Sequence, residues 1–198
     1  MSDTLILGFD TSAAHCAAAL LCNGQIIASA GEDMARGQAE RLIPLLEDVL
    51  ITGGVTWANL DRIGVGVGPG NFTGIRISVS AARGLALALG IPAVGVNAFD
   101  AISHGVETPH VPVVGAPRDQ VYMRAPQQEP VLTDVATAKV LGLPLHFPPA
   151  PADLAMQIAR VAAHADPTLL GAPAPLYLKP ADAAPARDQA PAILDDKA

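Results

Sequence analysis

The stretch from Ile63 to Gly90, IGVGVGPGNFTGIRISVSAARGLALALG, constrains the fold more than any other part of the chain. Val, Ile and Gly alternate through Ile63–Val67 ahead of Gly68-Pro69-Gly70, the pattern of a buried strand entering a tight turn. Gly64 and Gly66 stand where bulky side chains would otherwise be, which lets another backbone approach closely and admits positive φ. After the turn, Asn71 or Thr73 caps a helix that runs to Gly90, and Pro92 confirms the stop. A strand, a glycine turn and a helix N-terminus together suit an anion, because unpaired N–H groups and the helix dipole point outward. Two nucleotide fingerprints nevertheless fail. A Walker A loop needs Gly-Lys-Ser/Thr, and here Gly74 precedes Ile75 and Arg76. A Rossmann G-x-G-x-x-G has its third glycine one place late, and the next acid is Asp100. The loop by itself favours a helix packed tightly on a sheet.

Two helices carry more apolar surface than a sheet-covering role requires. In the first, Gln38 to Ile51, Leu42, Leu45, Leu46 and Val49 make one stripe, and Ile43 and Leu50 a second beside it. One stripe is enough to cover a sheet, so the surplus is either a wide core face or a contact surface for a partner. Pro44 is tolerated there if the first turn begins at about Arg41. In the second helix, Ser78, Ala81, Ala82, Gly84, Ala86 and Ala88 are small enough to let another helix come close. Arg76, Ser80, Arg83 and Leu87 share one stripe at i, i+4, i+7 and i+11. The two arginines are either its solvated edge or the rim of an interface, where Arg is enriched.

In chain order, Leu5 to Phe9 is a buried strand that ends at the polar turn Asp10-Thr11-Ser12. His15 to Leu21 and Gln25 to Ala30 follow as strands around Asn23-Gly24, a strong hairpin signal. Asp10 either closes its turn through its side chain or faces a phosphate-bound metal. Ile91 to Val96 is a further strand and Ala98 to Gly105 a helix, so the order βββαβαβα is ribonuclease-H-like. Beyond Val106 the composition changes, with fifteen of the eighteen prolines on that side. Val111–Val114 and Val121–Met123 form two short strands, a truncated repeat of the opening hairpin. Pro144 to Pro151 is a linker, Asp153 to Ala165 a helix, and the Pro-, Ala- and Asp-rich tail from Ala181 mobile.

A net charge of −7 with only 16% charged residues is a poor composition for gripping a nucleic-acid backbone unaided. Cys16 and Cys22 read as buried thiols and not as a disulfide, which fits a reducing compartment. The N-terminus has no signal-peptide pattern, and Arg76 and Arg83 interrupt the best candidate for a membrane span. A cytoplasmic protein is expected.

The chain resembles the TsaB (YeaZ) family, the partner subunit of bacterial tRNA threonylcarbamoyladenosine synthesis. The resemblance runs through Gly8-Phe9-Asp10-Thr11-Ser12, Ala39-Glu40-Arg41-Leu42-Ile43-Pro44 and above all Gly68-Pro69-Gly70-Asn71-Phe72-Thr73-Gly74-Ile75-Arg76. It continues through Gly84-Leu85-Ala86 and ends at Tyr177-Leu178-Lys179. It implies an α/β actin/hexokinase-like (ASKHA) fold of two ribonuclease-H-like lobes, the second shortened. Residues 1–105 would form the dimerising lobe, 106–181 the reduced lobe and 182–198 the tail. The implied function is that of a non-catalytic scaffold. It would act with the catalytic paralogue TsaD and the ATPase TsaE in threonylcarbamoyl transfer to N6 of the adenosine beside the anticodon, in tRNAs that read codons starting with A. Contact with tRNA would be indirect, and the protein would form a homodimer when alone. The implied partner surface comprises Glu40, Leu42, Ile43, Leu46, Leu50, Arg76, Val79, Ala82 and Arg83. Phosphate-facing positions would be Asp10, Thr11, Gly70, Asn71 and Thr73. No cofactor of its own is expected, with ATP or ADP at the interface of the complex.

Departures from the family are Gln38 in place of its usual His, and Gly115-Ala116-Pro117-Arg118-Asp119-Gln120-Val121-Tyr122 where the family has an acid and a Glu. The competing reading is an ASKHA-type ATPase or phosphotransferase using Asp10 and the Gly68–Gly74 loop. A metallopeptidase is disfavoured, since no two of the five histidines are four apart and no H-E-x-x-H occurs.

Overall fold

The computed structural model describes residues 4–178, so the expected tail and Lys179 lie outside the described residues. Strands β1 (Leu5–Asp10), β2 (His15–Cys22) and β3 (Gln25–Asp33) form an antiparallel meander. Its second turn has Asn23 and Gly24 at φ 50° and 81°, the paired positive angles that Asn-Gly supplies. Helix α1 (Gln38–Thr52), strand β4 (Arg62–Gly66), helix α2 (Phe72–Leu89), strand β5 (Ala93–Val96) and helix α3 (Ala98–Ser103) follow. The sheet order is β3-β2-β1-β4-β5, with β4 parallel to both β1 and β5.

The second sheet is built from β6 (Val111–Gly115), β7 (Gln120–Met123), β8 (Val131–Asp134) and β9 (Leu145–His146). Helix α4 (Val135–Lys139) precedes β9 and helix α5 (Pro151–His164) follows it. Its order, β8-β7-β6-β9 with β9 parallel to β6, repeats the first four strands of the first sheet and stops one strand short. The protein thus has the actin/hexokinase-like architecture of two ribonuclease-H-like halves, the second shortened. The segment expected as a linker, Pro144 to Pro151, contains β9.

Strand alternation divides the core of the first sheet. Leu7, Phe9, Ala18, Leu20, Ile63 and Val65 face α1 and α2, against Leu42, Leu45, Leu46, Val49, Ile75 and Val79. The opposite face is floored with small residues, Gly8, Ala17, Ala19 and Gly64, and α5 lies on it. A Cβ on Gly8 would stand 2.7 Å from the Ala155 carbonyl oxygen, and one on Gly64 would stand 2.8 Å from Ala162 Cβ. The glycine at position 64 therefore serves the close approach of a helix nearly a hundred residues later. Arg62 secures that helix by donating from Nη1 to the carbonyls of Ala162 and Ala165. A cation at a helix C-terminus is also favoured by the dipole.

One boundary differs from expectation. Helix α1 starts at Gln38 behind Gly37 at φ 91°, so Pro44 lies inside the helix and not in its first turn. Pro44 and Glu40 both lie on the exposed side, where water can satisfy the carbonyl that proline leaves unpaired.

Gly8→Ala is expected to destabilise the fold by about 1–3 kcal/mol, since its methyl meets backbone on a packed helix. Gly84→Ala, on the exposed side of α2 with nothing within 4 Å, is expected to stabilise by up to about 1 kcal/mol. Urea unfolding of the two variants beside the parent protein measures both.

Candidate functional site

The turn after β1 and the glycine element after β4 are bonded to each other. Thr11 Oγ1 donates to the Gly74 carbonyl at 2.7 Å, and the Asn71 N–H donates to the Ser12 carbonyl at 2.6 Å. Both contacts require backbone against backbone: a Cβ at Gly70 would strike the Ser12 carbonyl, and one at Gly74 the Thr11 carbonyl. Gly66 is bare because the Asp10 carboxylate lies against it. Asn71, and not Thr73, caps α2, its Oδ1 accepting from the Gly74 N–H at 2.9 Å.

Asp10 closes its own turn. Its Oδ2 accepts from the Ser12 N–H at 3.0 Å, from the Ser12 hydroxyl at 2.8 Å and from His15 Nε2 at 2.7 Å. Asp10 and Thr11 are buried at 1% and 0% exposure; the Thr11 hydroxyl is spent on Gly74, and Asp10 Oδ2 on its own turn and His15, while Asp10 Oδ1 accepts from no described donor. Gly70 and Asn71 do line a cleft of about 750 Å³ between the two sheets, while Thr73 is exposed outside its lining. Ser12 and His15 border the cleft on the first sheet, and Gly115, Arg118, Gln120 and Tyr122 on the second. No Asp or Glu is among the described residues of that lining.

The outer face of the first half is the second candidate. Of the residues expected there, Leu42, Leu46, Leu50, Val79 and Ala82 are 4% exposed or less and belong to the core under α1 and α2. They are corrected to core positions: the Leu42–Val49 stripe and Leu50 of the second stripe turn inward, because the helix packs on β2 and β3 and also against α2, while Ile43 of the second stripe stays outside. Glu40, Ile43, Arg76 and Arg83 do reach the surface. Beside them the structure exposes two residues that the sequence reading left out of this set, Ile51 at 75% and Leu87 at 86%. The surplus apolar character was visible; which residues carried it to the surface was not. Helix α2 is long and apolar enough by length and composition to cross a membrane, even with Arg76 and Arg83 counted. Here it packs one face on the first sheet.

Two further clusters carry no sequence signal of their own. Arg41 forks onto Glu32 of β3 at 2.6–3.1 Å and reaches Asp48 at 2.9 Å, tying α1 to the sheet edge. Its guanidinium holds the Glu32 carboxyl below the usual carboxylate range. Arg76 lies 3.8 Å from the Phe72 ring centre and donates from Nε to the Tyr177 hydroxyl at 2.9 Å. Tyr177 arrives on a terminal segment anchored by the Leu176 N–H to the Val67 carbonyl at 2.8 Å.

Both thiols are free, and lying six residues apart on one strand they are about 20 Å from each other. Burial pushes the Cys16 thiol up to about 11, with the Glu32 charge adding to the rise. Cys16 is expected to resist Ellman's reagent in the native protein and to react on unfolding, while half-buried Cys22 reacts first. Because the folded thiol holds its proton more tightly than the unfolded one, stability should fall as pH rises from about 9 toward 11. Cys16→Ala should remove that fall in thermal unfolding across the same pH range.

The sequence profile described as "TsaD: tRNA N6-adenosine threonylcarbamoyltransferase" matches residues 27–172. The chain is 35% identical over 100 residues to the tRNA threonylcarbamoyladenosine biosynthesis protein TsaB of Escherichia coli, covering 50% of this chain and 43% of that protein. Against the protein of the same name from Haemophilus influenzae it is 28% identical over 139 residues, 68% of this chain and 58% of the relative. The chain thus spans about half the length of the curated relatives it matches. The solved structure of YeaZ from Pseudomonas aeruginosa superposes with a TM-score of 0.67 at 26% identity, covering 88% of this chain and all of that one.

Proposed function

The chain belongs to the TsaD family and, within it, to the TsaB (YeaZ) group, and on that premise we propose that it is a partner subunit in tRNA threonylcarbamoyladenosine synthesis. In this role it docks on a TsaD-type transferase, with a TsaE-type ATPase in the same assembly, and performs no transfer itself. The reaction belongs to the assembly: threonylcarbamoyl passes to N6 of the adenosine beside the anticodon, in the cytoplasm where tRNA is modified. Any ATP or ADP lies at the interface of the complex, and tRNA contact is made through the partners.

One observation carries this reading. Ile51 at 75% exposure and Leu87 at 86% leave large aliphatic side chains in water on the two helices that cover the first sheet, and Ile43 on the first of them is 39% exposed. Arg76 and Arg83 stand on the α2 stripe that carries Leu87, the aliphatic-with-arginine composition of a protein interface. The same face would serve a homodimer when the transferase is absent. The competing ATPase reading finds less support, since one Asp10 oxygen is taken by three internal donors and no described carboxylate lines the cleft to hold a metal.

Calorimetry with the TsaD-type protein of the same organism tests the proposal. Tight association is expected, weakened at least tenfold by Ile43→Glu or Leu87→Glu. Thermal midpoints should stay near the parent value, because both side chains already meet solvent. Absence of association, or association indifferent to both variants, overturns it. Sedimentation of the chain alone reports the homodimer through the same two variants.

A further inference from the structure

Ser103 and His110 have no part in the partner surface and stand away from the cleft between the sheets. Ser103 Oγ lies 2.9 Å from His110 Nε2, and His110 Nδ1 lies 2.8 Å from the Thr108 carbonyl oxygen. A carbonyl only accepts, so Nδ1 carries the ring proton and Nε2 keeps its lone pair. The Ser103 hydroxyl is therefore the donor, bonded to a base whose tautomer is already set. This is the relation of nucleophile, base and orienting group found in serine hydrolases, with a main-chain oxygen where a carboxylate usually stands.

Local structure holds the three groups together. Ser103 is the last residue of α3, a helix fixed by the burial of Phe99, Ala101 and Ile102. Gly105 at φ 78° turns the chain back, and the Val106 N–H donates to the Ser103 carbonyl at 3.1 Å. His110 then arrives just ahead of β6, and the His146 ring of β9 stacks on it with centroids 4.5 Å apart and planes 25° from parallel. Ser103 and His110 are half-buried and border a cavity of about 590 Å³, so the hydroxyl is open to a small molecule. Arg124 stands in the same wall, held by Asp100 at 2.7 Å and lying 5.4 Å from the Phe99 ring centre.

We propose that this cavity is an ester-hydrolysing centre for short, uncharged acyl groups. Prolines 109, 112 and 126 supply apolar wall. Glu107 shares the lining and Asp100 meets the Arg124 charge, so no surplus positive charge selects an anion. Ser103 Oγ bonds to the ester carbonyl carbon as its proton passes to His110 Nε2, and the carbonyl electron pair moves onto oxygen. Arg124, Gln127 and Gln128 are the side-chain N–H donors that the lining offers to that oxygen. When the pair returns, the bond to the alcohol oxygen breaks and His110 gives the leaving alcohol its proton. Water then attacks the Ser103 acyl ester and loses a proton to Nε2. The carboxylic acid departs as the Ser103 hydroxyl re-forms, and nothing is oxidised or reduced. The activity is separate from the transfer assigned to the assembly and does not rest on that reading.

Release of p-nitrophenol from p-nitrophenyl butyrate by the full chain tests it, with free imidazole at equal concentration as the background. Saturable turnover above that background is expected, and Ser103→Ala or His110→Gln should lower it by about a hundredfold. Diisopropyl fluorophosphate, from which an activated serine hydroxyl displaces fluoride, should label the parent chain at Ser103 in peptide mass mapping, and His110→Gln should leave that serine unlabelled. The proposal fails if the parent chain turns over no ester above background or carries no label on Ser103. It fails equally if Ser103→Ala hydrolyses the ester as fast as the parent. Labelling of the parent needs no variant, so it decides the matter even if a substitution unfolds the turn.

Discussion

Everything on the first sheet depends on one contact, the seating of the glycine element on the turn after the first strand. Two short hydrogen bonds, Thr11 to the Gly74 carbonyl and the Asn71 N–H to the Ser12 carbonyl, fix where α2 begins. Side chains at Gly66, Gly70 or Gly74 would occupy the space of the Asp10 carboxylate or of the turn backbone. With the start of α2 set, its inner stripe of Ile75, Val79 and Ala82 reaches the core and its outer stripe faces water. The N-terminus of the same helix becomes part of the cleft wall. One local contact thus positions both candidate surfaces, and neither can shift without the other.

The opposite face of the sheet follows a different rule. Gly8, Ala17, Ala19 and Gly64 give it little relief, so a helix can lie almost on the strand backbones. That helix, α5, is itself alanine-rich at the contact, through Ala155, Ala159 and Ala162. Small residues on both partners bring the surfaces closer than bulky ones would, and dispersion gains from that proximity. The helix comes from the second half of the chain, following β9 as α2 follows β4. The halves are therefore joined by shared core, and the cleft between the sheets has a firmly held floor.

The buried Asp10 illustrates how such a site changes its work. An acid after the first strand can address a bound phosphate, but here one oxygen receives three internal donors. That oxygen is spent on ordering the turn and fixing His15. On the outer face, meanwhile, Ile51 and Leu87 stand largely in water.

By itself the sequence determined the elements of the first half and their order, and in the second half two strands and the last helix, but not β8, α4 or β9. Period-two runs, the Asn-Gly hairpin, the glycine turn and the Gly90–Pro92 stop are local signals, and strands β1 to β7, α2 and α5 fall close to where those signals put them. Local chemistry named the candidates for the α2 cap and the alternatives for Asp10, and the structure chose Asn71 and the closed turn. What only the tertiary structure decided was direction. Two adjacent apolar stripes on α1 look alike in sequence, and burial chose Leu42, Leu46 and Leu50 for the core while leaving Ile43 and Ile51 outside. The partner of Gly64 was equally hidden, since nothing near it in the chain marks a helix that packs from residue 162. Periodicity is a property of neighbours along the chain, whereas facing and contact belong to neighbours in space, and the two coincide only within a single element.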